Sequence, residues 1–177
     1  MEITFWIFIG LSVYSYLLFP LTLLFLPIMF RRPWQKRDIR PIISMVISVY
    51  NEEKVIAEKI ENALNLDYPT GRLEILVVSD GSTDDTEKIV QGFQDRRVVL
   101  KAYRERSGKT ACLNRAVPEA RGEIILFTDA KSMFPADILL KMVDNFADKE
   151  IGLVTGWTRY GDASQDDDTT GLYSRFE

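Results

Sequence analysis

The sequence predicts an α/β domain with a three-layer, mostly parallel sheet, preceded by one N-terminal transmembrane helix. Stretches rich in β-branched residues alternate with amphipathic helical stretches over residues 42–157, as expected of parallel strands joined by helical crossovers. No charged residue occurs from Ile3 to Phe30, a run that would extend roughly 42 Å as a helix, against about 30 Å of bilayer hydrocarbon. We therefore predict an anchor at 1–30, a basic juxtamembrane segment at 31–40 and an α/β domain at 41–177.

The N-terminal run is interpreted as an uncleaved anchor rather than a signal peptide. It starts Met1-Glu2 without basic residues, it is too long, and no small-residue cleavage site follows it. Pro20 and Pro27 are expected to kink or end the helix, so the spanning part is expected to stop near Leu26. Basic residues crowd the flank after the run, which predicts a single pass through a membrane with the remainder cytoplasmic. These basic residues are Arg31, Arg32, Lys36, Arg37 and Arg40, with Trp34 suited to the headgroup interface.

Composition excludes several classes of chemistry. The chain has no histidine, one cysteine and a net charge of -4. Ser-His and Cys-His catalysis, histidine zinc sites and an internal disulfide are therefore excluded within this chain, and nucleic acid is not an expected partner. Cys112 is interpreted as a small apolar residue on a helix face. Any chemistry must use carboxylates, lysine, arginine, hydroxyls, backbone N–H groups or a hard metal ion.

The first half of the domain is predicted as two strands, each followed by a helix. Residues 42–49 form a nearly continuous apolar run, typical of a strand buried on both faces. Asn51 then has the character of a helix N-cap, and a helical apolar stripe follows it. A second strand is predicted at 73–78. The next helix starts where Ser82 and Asp85 have capping-box spacing.

The second half continues the alternation. Strands are predicted at 97–103 and 123–128, with a helix between them that opens at the turn 107–110 and ends near Pro118. Another helix is expected to start at 134–137, with Pro135 near its first position. A fifth strand is predicted at 151–157. Residues 161–177 are polar and unpatterned until 172–176, which we interpret as the beginning of another element.

Two common phosphate-binding motifs are absent. Residues 107–110 read Ser-Gly-Lys-Thr, like the end of a P-loop, but Tyr103 stands where the first glycine is required. No G-x-G-x-x-G fingerprint follows any predicted strand.

What remains is a set of polar residues at successive strand ends. Asn51 and Glu52 follow the first strand, Asp80 the second and Asp129 the fourth, with Lys109 on the intervening helix start. Because parallel strands end at one edge, we expect these residues to share a crevice. A helix cap at Asn51 and a solvated turn at Lys109 are the alternatives.

The other acids of the second turn are interpreted differently. Asp84 and Asp85 are expected to stabilise the dipole of the following helix. Asp80 and Asp129, which end apolar strands, are interpreted as functional.

These residues fall in four motifs: VISVYNEE at 46–53, SDGSTD at 79–84, GKTACLN at 108–114 and FTDA at 127–130. In this order and spacing they resemble processive-type family 2 glycosyltransferases with a GT-A fold, over about residues 41–160. The resemblance implies inverting transfer of a sugar from a nucleotide sugar, expected to be a UDP-sugar, to a polysaccharide or glycolipid (lipid-linked) acceptor at the cell (inner) membrane.

The resemblance also implies roles for single residues. Asn51, Glu52 and Asp80 would line the nucleotide pocket, with Asp80 near the base. Lys109 would lie close to the nucleotide, and Asp129 would take the first acidic position of the D-x-D motif, beside ribose and diphosphate. Asp129 is thus the candidate metal ligand for Mg²⁺ or Mn²⁺.

The sequence departs from this family pattern at Lys131. It stands where relatives carry Asp or Asn, so one oxygen that could bind the metal is missing. Either Lys131 faces the diphosphate and replaces part of the role of the cation, or it points to solvent while Asp129 and the nucleotide hold the metal.

A second departure concerns catalysis. The family's base and its acceptor-side tryptophan motif lie in later motifs, so the base is expected C-terminal to Glu177. The chain alone is expected to bind nucleotide without turnover. The alternative function is a non-catalytic, membrane-tethered nucleotide-sugar binding or assembly subunit.

Overall fold

The chain divides into two compact units, Met1–Gln35 and Lys36–Glu177, and the computed structural model describes residues 2–29 and 35–156. In the first unit, α1 (Glu2–Val13) continues through a π-helical turn at Tyr14–Leu18 into α2 (Phe19–Met29). The side chains described in this helix are exposed, and Glu2–Leu26 is long and apolar enough to cross a membrane.

The helix passes Pro20 rather than ending there. Proline lacks the N–H of a helical hydrogen bond and clashes with the carbonyl four residues earlier. The π-helical turn lies directly before it, and a local π turn is one way for a helix to absorb such a mismatch. The predictions for Arg31, Arg32 and Trp34 concern residues 30–34, which lie outside the described residues.

The second unit is built on a parallel sheet of four strands. They are β1 (Ile43–Val49), β2 (Leu73–Asp80), β3 (Val98–Tyr103) and β4 (Ile124–Asp129), in the order β3-β2-β1-β4. The connecting helices are α3 (Ile56–Leu64), α4 (Thr86–Gln91) and α5 (Lys109–Ala116), and α6 (Ile138–Val143) follows β4. The predicted parallel α/β fold is confirmed.

Alternate residues of the central strands face two different cores. Met45 and Ile47 of β1 pack with residues of α3, α4 and α6, whereas Val46 packs with Cys112 and Ala116 of α5. The chain runs outward from β1 to β3 and then reverses to β4, so right-handed crossovers require α5 on the opposite face. The interpretation of Cys112 as an apolar helix residue is confirmed. Its burial raises the pKa of the thiol to about 11.

A buried polar cluster joins the strands at the amino-terminal end of the sheet. Ser44 of β1 donates through its hydroxyl to Glu74 Oε2 of β2 at 2.5 Å and accepts from the Gly122 N–H at 2.8 Å. The Arg121 N–H donates to the same carboxylate oxygen at 3.0 Å. The ends of β1 and β2 are thereby tied to the residues that enter β4.

The prediction of a fifth strand is wrong over residues 151–156, and its last residue, Trp157, lies outside the described residues. Ile151 begins in a turn, donating its N–H to the Asp148 carbonyl, and Leu153 is 85% exposed. The segment borders a cavity of about 410 Å³ beside β4 and α6. An apolar run gives no information on whether its backbone pairs with a neighbour, and here it lies beside β4 without forming a ladder.

The helix predicted from 134–137 begins later, at Ile138. The Ile138 N–H donates to the Pro135 carbonyl in a turn, and the side chain of Asn62 binds the backbone of Phe134. Pro135 therefore lies in the loop before α6, and α3 holds this loop in place through Asn62.

Candidate functional site

The carboxyl ends of the strands form one edge of the sheet, and the strand order reverses between β1 and β4. Ser48 of β1 pairs with Asp129 of β4, and Val49 pairs with Ser79 of β2. In open parallel sheets, ligands bind at such a switch point, where the loops after the two strands diverge. Glu52 follows β1, and Asp129 and Lys131 lie at and after the end of β4. The predicted convergence of these positions therefore falls at this crevice.

The loop after β1 is bonded to the loop after β2. Asn51 has a left-handed backbone conformation, with φ of 53°. Its Oδ1 accepts from the Thr83 N–H at 2.8 Å, and the Glu52 N–H donates to Thr86 Oγ1 at 2.9 Å. The prediction that Asn51 caps the following helix is wrong, because α3 begins five residues later at Ile56. Asn51 instead ties the two loops together.

Asp84 caps α4, whereas the sequence predicted a capping box formed by Ser82 and Asp85. Its Oδ1 accepts from the N–H of Thr86, the first residue of α4, at 3.0 Å, and from the Thr86 hydroxyl at 2.6 Å. Asp85 occupies the N-cap position without a capping bond from its side chain. The capping-box prediction is therefore wrong. The Asp84 side chain instead binds the N–H of the residue two positions later, as in an Asx turn.

Asp80 is 4% exposed and both of its oxygens accept hydrogen bonds from the loop before α5. Oδ1 accepts from the N–H of Ser107 at 2.8 Å and from its hydroxyl at 3.1 Å, and Oδ2 accepts from the Gly108 N–H at 2.8 Å. Hydrogen bonds from Ser107, more than the opposing burial, lower the pKa of the Asp80 carboxyl. Asp80 therefore fixes the loop that presents Lys109. Its implied contact with a base stays a prediction.

Gly81 allows the loop before α5 to lie close to the end of β2. It has φ of 74°, and a Cβ there would lie 3.2 Å from the Arg106 nitrogen and 3.3 Å from the Arg104 oxygen. A side chain at this position would push the loop away from Asp80.

Replacing Asp80 with alanine is expected to lower the free energy of unfolding at pH 7 by about 2–4 kcal/mol, because two backbone N–H groups lose a charged acceptor. The pKa of the native carboxyl is lowered, so its contribution is complete above the unfolded pKa near 3.8. The contribution is lost as the pH falls below that value toward the native pKa. Urea unfolding of wild type and variant should thus differ less at pH 3 than at pH 7, and an equal difference at both would contradict this role.

Two ion pairs lie at the crevice. Lys109 Nζ is 2.5 Å from Asp129 Oδ1, and Lys131 Nζ is 3.5 Å from Glu52 Oε1. Lys109 and Asp129 are 60% and 62% exposed, so a ligand can reach both groups. The structure thus brings four of the six predicted residues into two pairs. The other two, Asn51 and Asp80, support the loops.

The described residues do not by themselves make a metal site. Within residues 2–29 and 35–156, no three acidic or cysteine side chains converge as ligands. In the turn after β4, Asp129 offers a carboxylate, whereas Lys131 brings an ammonium group that cannot bind a cation. Any divalent ion here would need most of its oxygen ligands from a bound molecule and from water.

Sequence reasoning missed two residues that the structure places beside the site, Lys59 and Arg106. Lys59 on α3 donates through Nζ to the Ser132 carbonyl in the loop after β4. Its position, three residues after Ile56 in the apolar stripe, is the signal that could have found it. Arg106 lies 4.0 Å from the centre of the Tyr50 ring, and no periodic pattern indicates this contact between two loops.

The fold and the site define an α/β protein of the GT-A kind, with charged groups gathered at the carboxyl edge of its sheet. The chain belongs to glycosyl transferase family 2, whose model matches residues 44–175. The resemblance noted from the four motifs is confirmed at the level of the family.

Curated relatives include lipid and polysaccharide synthases. The chain is 34% identical over 137 residues to beta-monoglucosyldiacylglycerol synthase of Nostoc sp., covering 73% of this chain and 29% of the relative. It is 28% identical over 116 residues to poly-beta-1,6-N-acetyl-D-glucosamine synthase of Staphylococcus aureus, covering 64% and 28%. The chain thus spans less than a third of the length of these relatives.

Solved structures agree on the fold. The mannosyltransferase PcManGT of Pyrobaculum calidifontis, in complex with GDP-Man and Mn²⁺, has a TM-score of 0.64 and 34% identity, covering 81% of this chain and 44% of that one. S. aureus TarS 1-349 in complex with UDP-GlcNAc has a TM-score of 0.53 and 29% identity, covering 57% and 29%.

Proposed function

We propose that this chain is the donor-binding part of a membrane-anchored glycosyltransferase. It binds a nucleoside-diphosphate sugar, which we expect to be a UDP-sugar. The whole enzyme transfers the sugar with inversion to a glycolipid or polysaccharide acceptor. The observation that carries the proposal is the pair of exposed cations, Lys109 and Lys131, held by Asp129 and Glu52 where the strand order reverses. Ammonium groups at such an edge are suited to the oxygens of a diphosphate.

The relatives support this donor and acceptor chemistry. PcManGT carries GDP-Man and TarS carries UDP-GlcNAc, so related folds hold a nucleotide sugar with either base. The names of the curated relatives describe a glycosylated diacylglycerol and a poly-N-acetylglucosamine as products. A lipid-linked or growing polysaccharide acceptor would suit the apolar N-terminal helix.

The reaction requires charge neutralisation on the leaving group. The acceptor hydroxyl attacks the anomeric carbon as the bond from that carbon to the diphosphate breaks, and negative charge grows on the departing oxygens. Lys109 and Lys131 would offset that charge, which is a major source of rate acceleration in group transfer. The hydroxyl proton passes to a base, which we expect in the later acidic motif of the family.

The membrane topology is part of the proposal. Glu2–Leu26 would span the cell (inner) membrane once, and the basic residues after it would stay on the cytoplasmic side. The α/β unit would then meet cytoplasmic nucleotide sugars.

Lys131 provides a test of metal use. If it faces the diphosphate and replaces part of the role of a cation, chelation with EDTA should leave measurable transfer, and Lys131→Asp should make transfer depend about tenfold more on Mn²⁺. Transfer by the full-length enzyme, assayed with EDTA and with Mn²⁺, checks both expectations. Complete loss of wild-type transfer on chelation would instead favour a metal held by Asp129 and the nucleotide.

A transfer assay tests the proposed function. The full-length protein, reconstituted in vesicles containing diacylglycerol, would be supplied in turn with radiolabelled UDP-glucose, UDP-GlcNAc and GDP-mannose. We expect at least one label to enter lipid or polymer. Binding of a donor without transfer by the full-length protein would favour the non-catalytic binding subunit, and absence of both would refute the proposal.

A further inference from the structure

Lys59 is a lysine enclosed in the protein interior. It lies on α3 with a relative exposure of 0%, donates through Nζ to the Ser132 carbonyl, and has Nζ 3.9 Å from the centre of the Phe134 ring. Burial lowers the pKa of its ammonium group to about 8, against an opposing attraction from Asp129. The two groups it contacts carry no net charge, and Asp129 is the neighbouring anion.

A buried ammonium group is unfavourable for folding unless its charge is compensated. The position belongs to the apolar stripe of α3, between Ile56 and Ile60, where methionine or leucine would pack without that cost. The stripe alone therefore does not account for a lysine. The groups that Nζ contacts, the Ser132 carbonyl and the Phe134 ring, both belong to the segment after β4, so we look for the role of the charge there.

The same helix face holds that turn at a second point. Asn62, three residues after Lys59, donates through Nδ2 to the Phe134 carbonyl at 2.9 Å and accepts from the Phe134 N–H at 2.9 Å. Lys59 and Asn62 thus bind the backbone at both ends of residues 132–134. This short segment directly follows Lys131 and begins three residues after Asp129, so α3 holds the backbone next to these two side chains.

We propose that Lys59 is a positioning residue of the donor site, which fixes the turn of Asp129–Ser132 and supplies a buried positive charge close to where the diphosphate binds. The inference rests on the proposed function. Unlike Lys109 and Lys131, Lys59 is not exposed to the ligand. It acts on the diphosphate through the Asp129 turn and through space, and not on the nucleoside.

The test compares a donor with its nucleoside. Lys59→Met keeps the apolar packing of α3 and removes the charge, and Lys59→Gln keeps a donor for the Ser132 carbonyl without the charge. Lys88→Met, on the exposed surface of α4, is the matched control for loss of one positive charge. The dissociation constants of UDP-glucose, UDP-GlcNAc and GDP-mannose, and of uridine and guanosine, would be measured on the full chain by calorimetry, with melting temperatures alongside.

We expect both Lys59 variants to bind the nucleotide sugar that wild type binds about tenfold more weakly than wild type does. Their dissociation constants for the nucleoside, and the dissociation constants of Lys88→Met, should stay within about twofold of wild type. Equal binding by wild type and Lys59→Met would overturn the inference and leave the proposed function intact. Parallel loss of donor and nucleoside binding, or failure of both variants to fold, would show a purely structural lysine and also overturn it. Absence of donor binding by wild type would refute the proposed function itself.

Discussion

Gly122→Ala is expected to destabilise the α/β unit by about 3 kcal/mol or more, the largest effect we expect from a single methyl group in this protein. A Cβ at this position would lie 2.3 Å from the Ser44 nitrogen and 2.8 Å from both the Ile43 carbonyl carbon and the Ile124 oxygen. All three are backbone atoms of the paired strands β1 and β4, so no side-chain rotation can relieve the contact. The Gly122 N–H would also lose its bond to the Ser44 hydroxyl as the strands move apart.

Gly71→Ala is the matched control. A Cβ there meets nothing within 4 Å, so this change is expected to be neutral or to stabilise by up to about 1 kcal/mol by restricting the unfolded chain. Urea unfolding followed by circular dichroism measures both variants. Similar midpoints for Gly122→Ala and wild type would show that β1 and the entry to β4 are not packed as described.

Asp129→Ala is expected to reduce sugar transfer by the full-length enzyme by about 100-fold or more. Asp129 pairs with Lys109 at 2.5 Å and ends the strand beside the switch point. Its loss would free the Lys109 side chain from its orientation and remove the carboxylate at the end of β4. The structure leaves both groups exposed, so the substitution should spare folding while it removes function.

Glu58→Gln serves as the control, because Glu58 is an exposed acid on α3 and takes no part in the proposed site. Initial rates of transfer, with melting temperatures for each variant, would separate catalysis from stability. If Asp129→Ala kept more than about a tenth of the wild-type rate, the crevice between β1 and β4 would not be the donor site.

Much of the sheet could be predicted because burial on both faces leaves a strong signal. β1 and β2 read as β-branched apolar runs, and their bounds differ from the predicted ones by two residues or fewer. The predicted end of the second strand, Val78, stops short because Ser79 and Asp80 are polar. They remain in β2, with Asp80 paired in register with Tyr103.

The details of the loops could not be predicted in the same way. Asn51 and Ser82 have the character of helix caps, yet their side chains bond across loops that are distant in sequence. Local patterns do not contain that choice, because it depends on which strands become neighbours. The prediction of a fifth strand was wrong for a related reason, because the apolar character of a segment does not indicate whether its backbone pairs with a neighbouring strand.

The arrangement of charged residues at this edge of the sheet was predicted in part. Strand-end positions follow from the alternation of elements, so Asp129 and Glu52 could be placed at one edge from the sequence. The pairing of Lys131 with Glu52, and the burial of Lys59, depend on how α3 and the turn after β4 pack together. A lysine in an apolar stripe is normally assigned to the surface, which is why Lys59 was missed.

Direct binding of a donor tests the central claim most closely. Calorimetric titration of the full chain with UDP-glucose, UDP-GlcNAc and GDP-mannose, each with EDTA, Mg²⁺ and Mn²⁺, would be repeated on Asp129→Ala and Glu58→Gln. We expect saturable binding of at least one nucleotide sugar by wild type and Glu58→Gln, and at least about tenfold weaker binding by Asp129→Ala. Binding that is indifferent to Asp129, or no binding of any donor under any of these conditions, would contradict a nucleotide-sugar site at the carboxyl edge of this sheet.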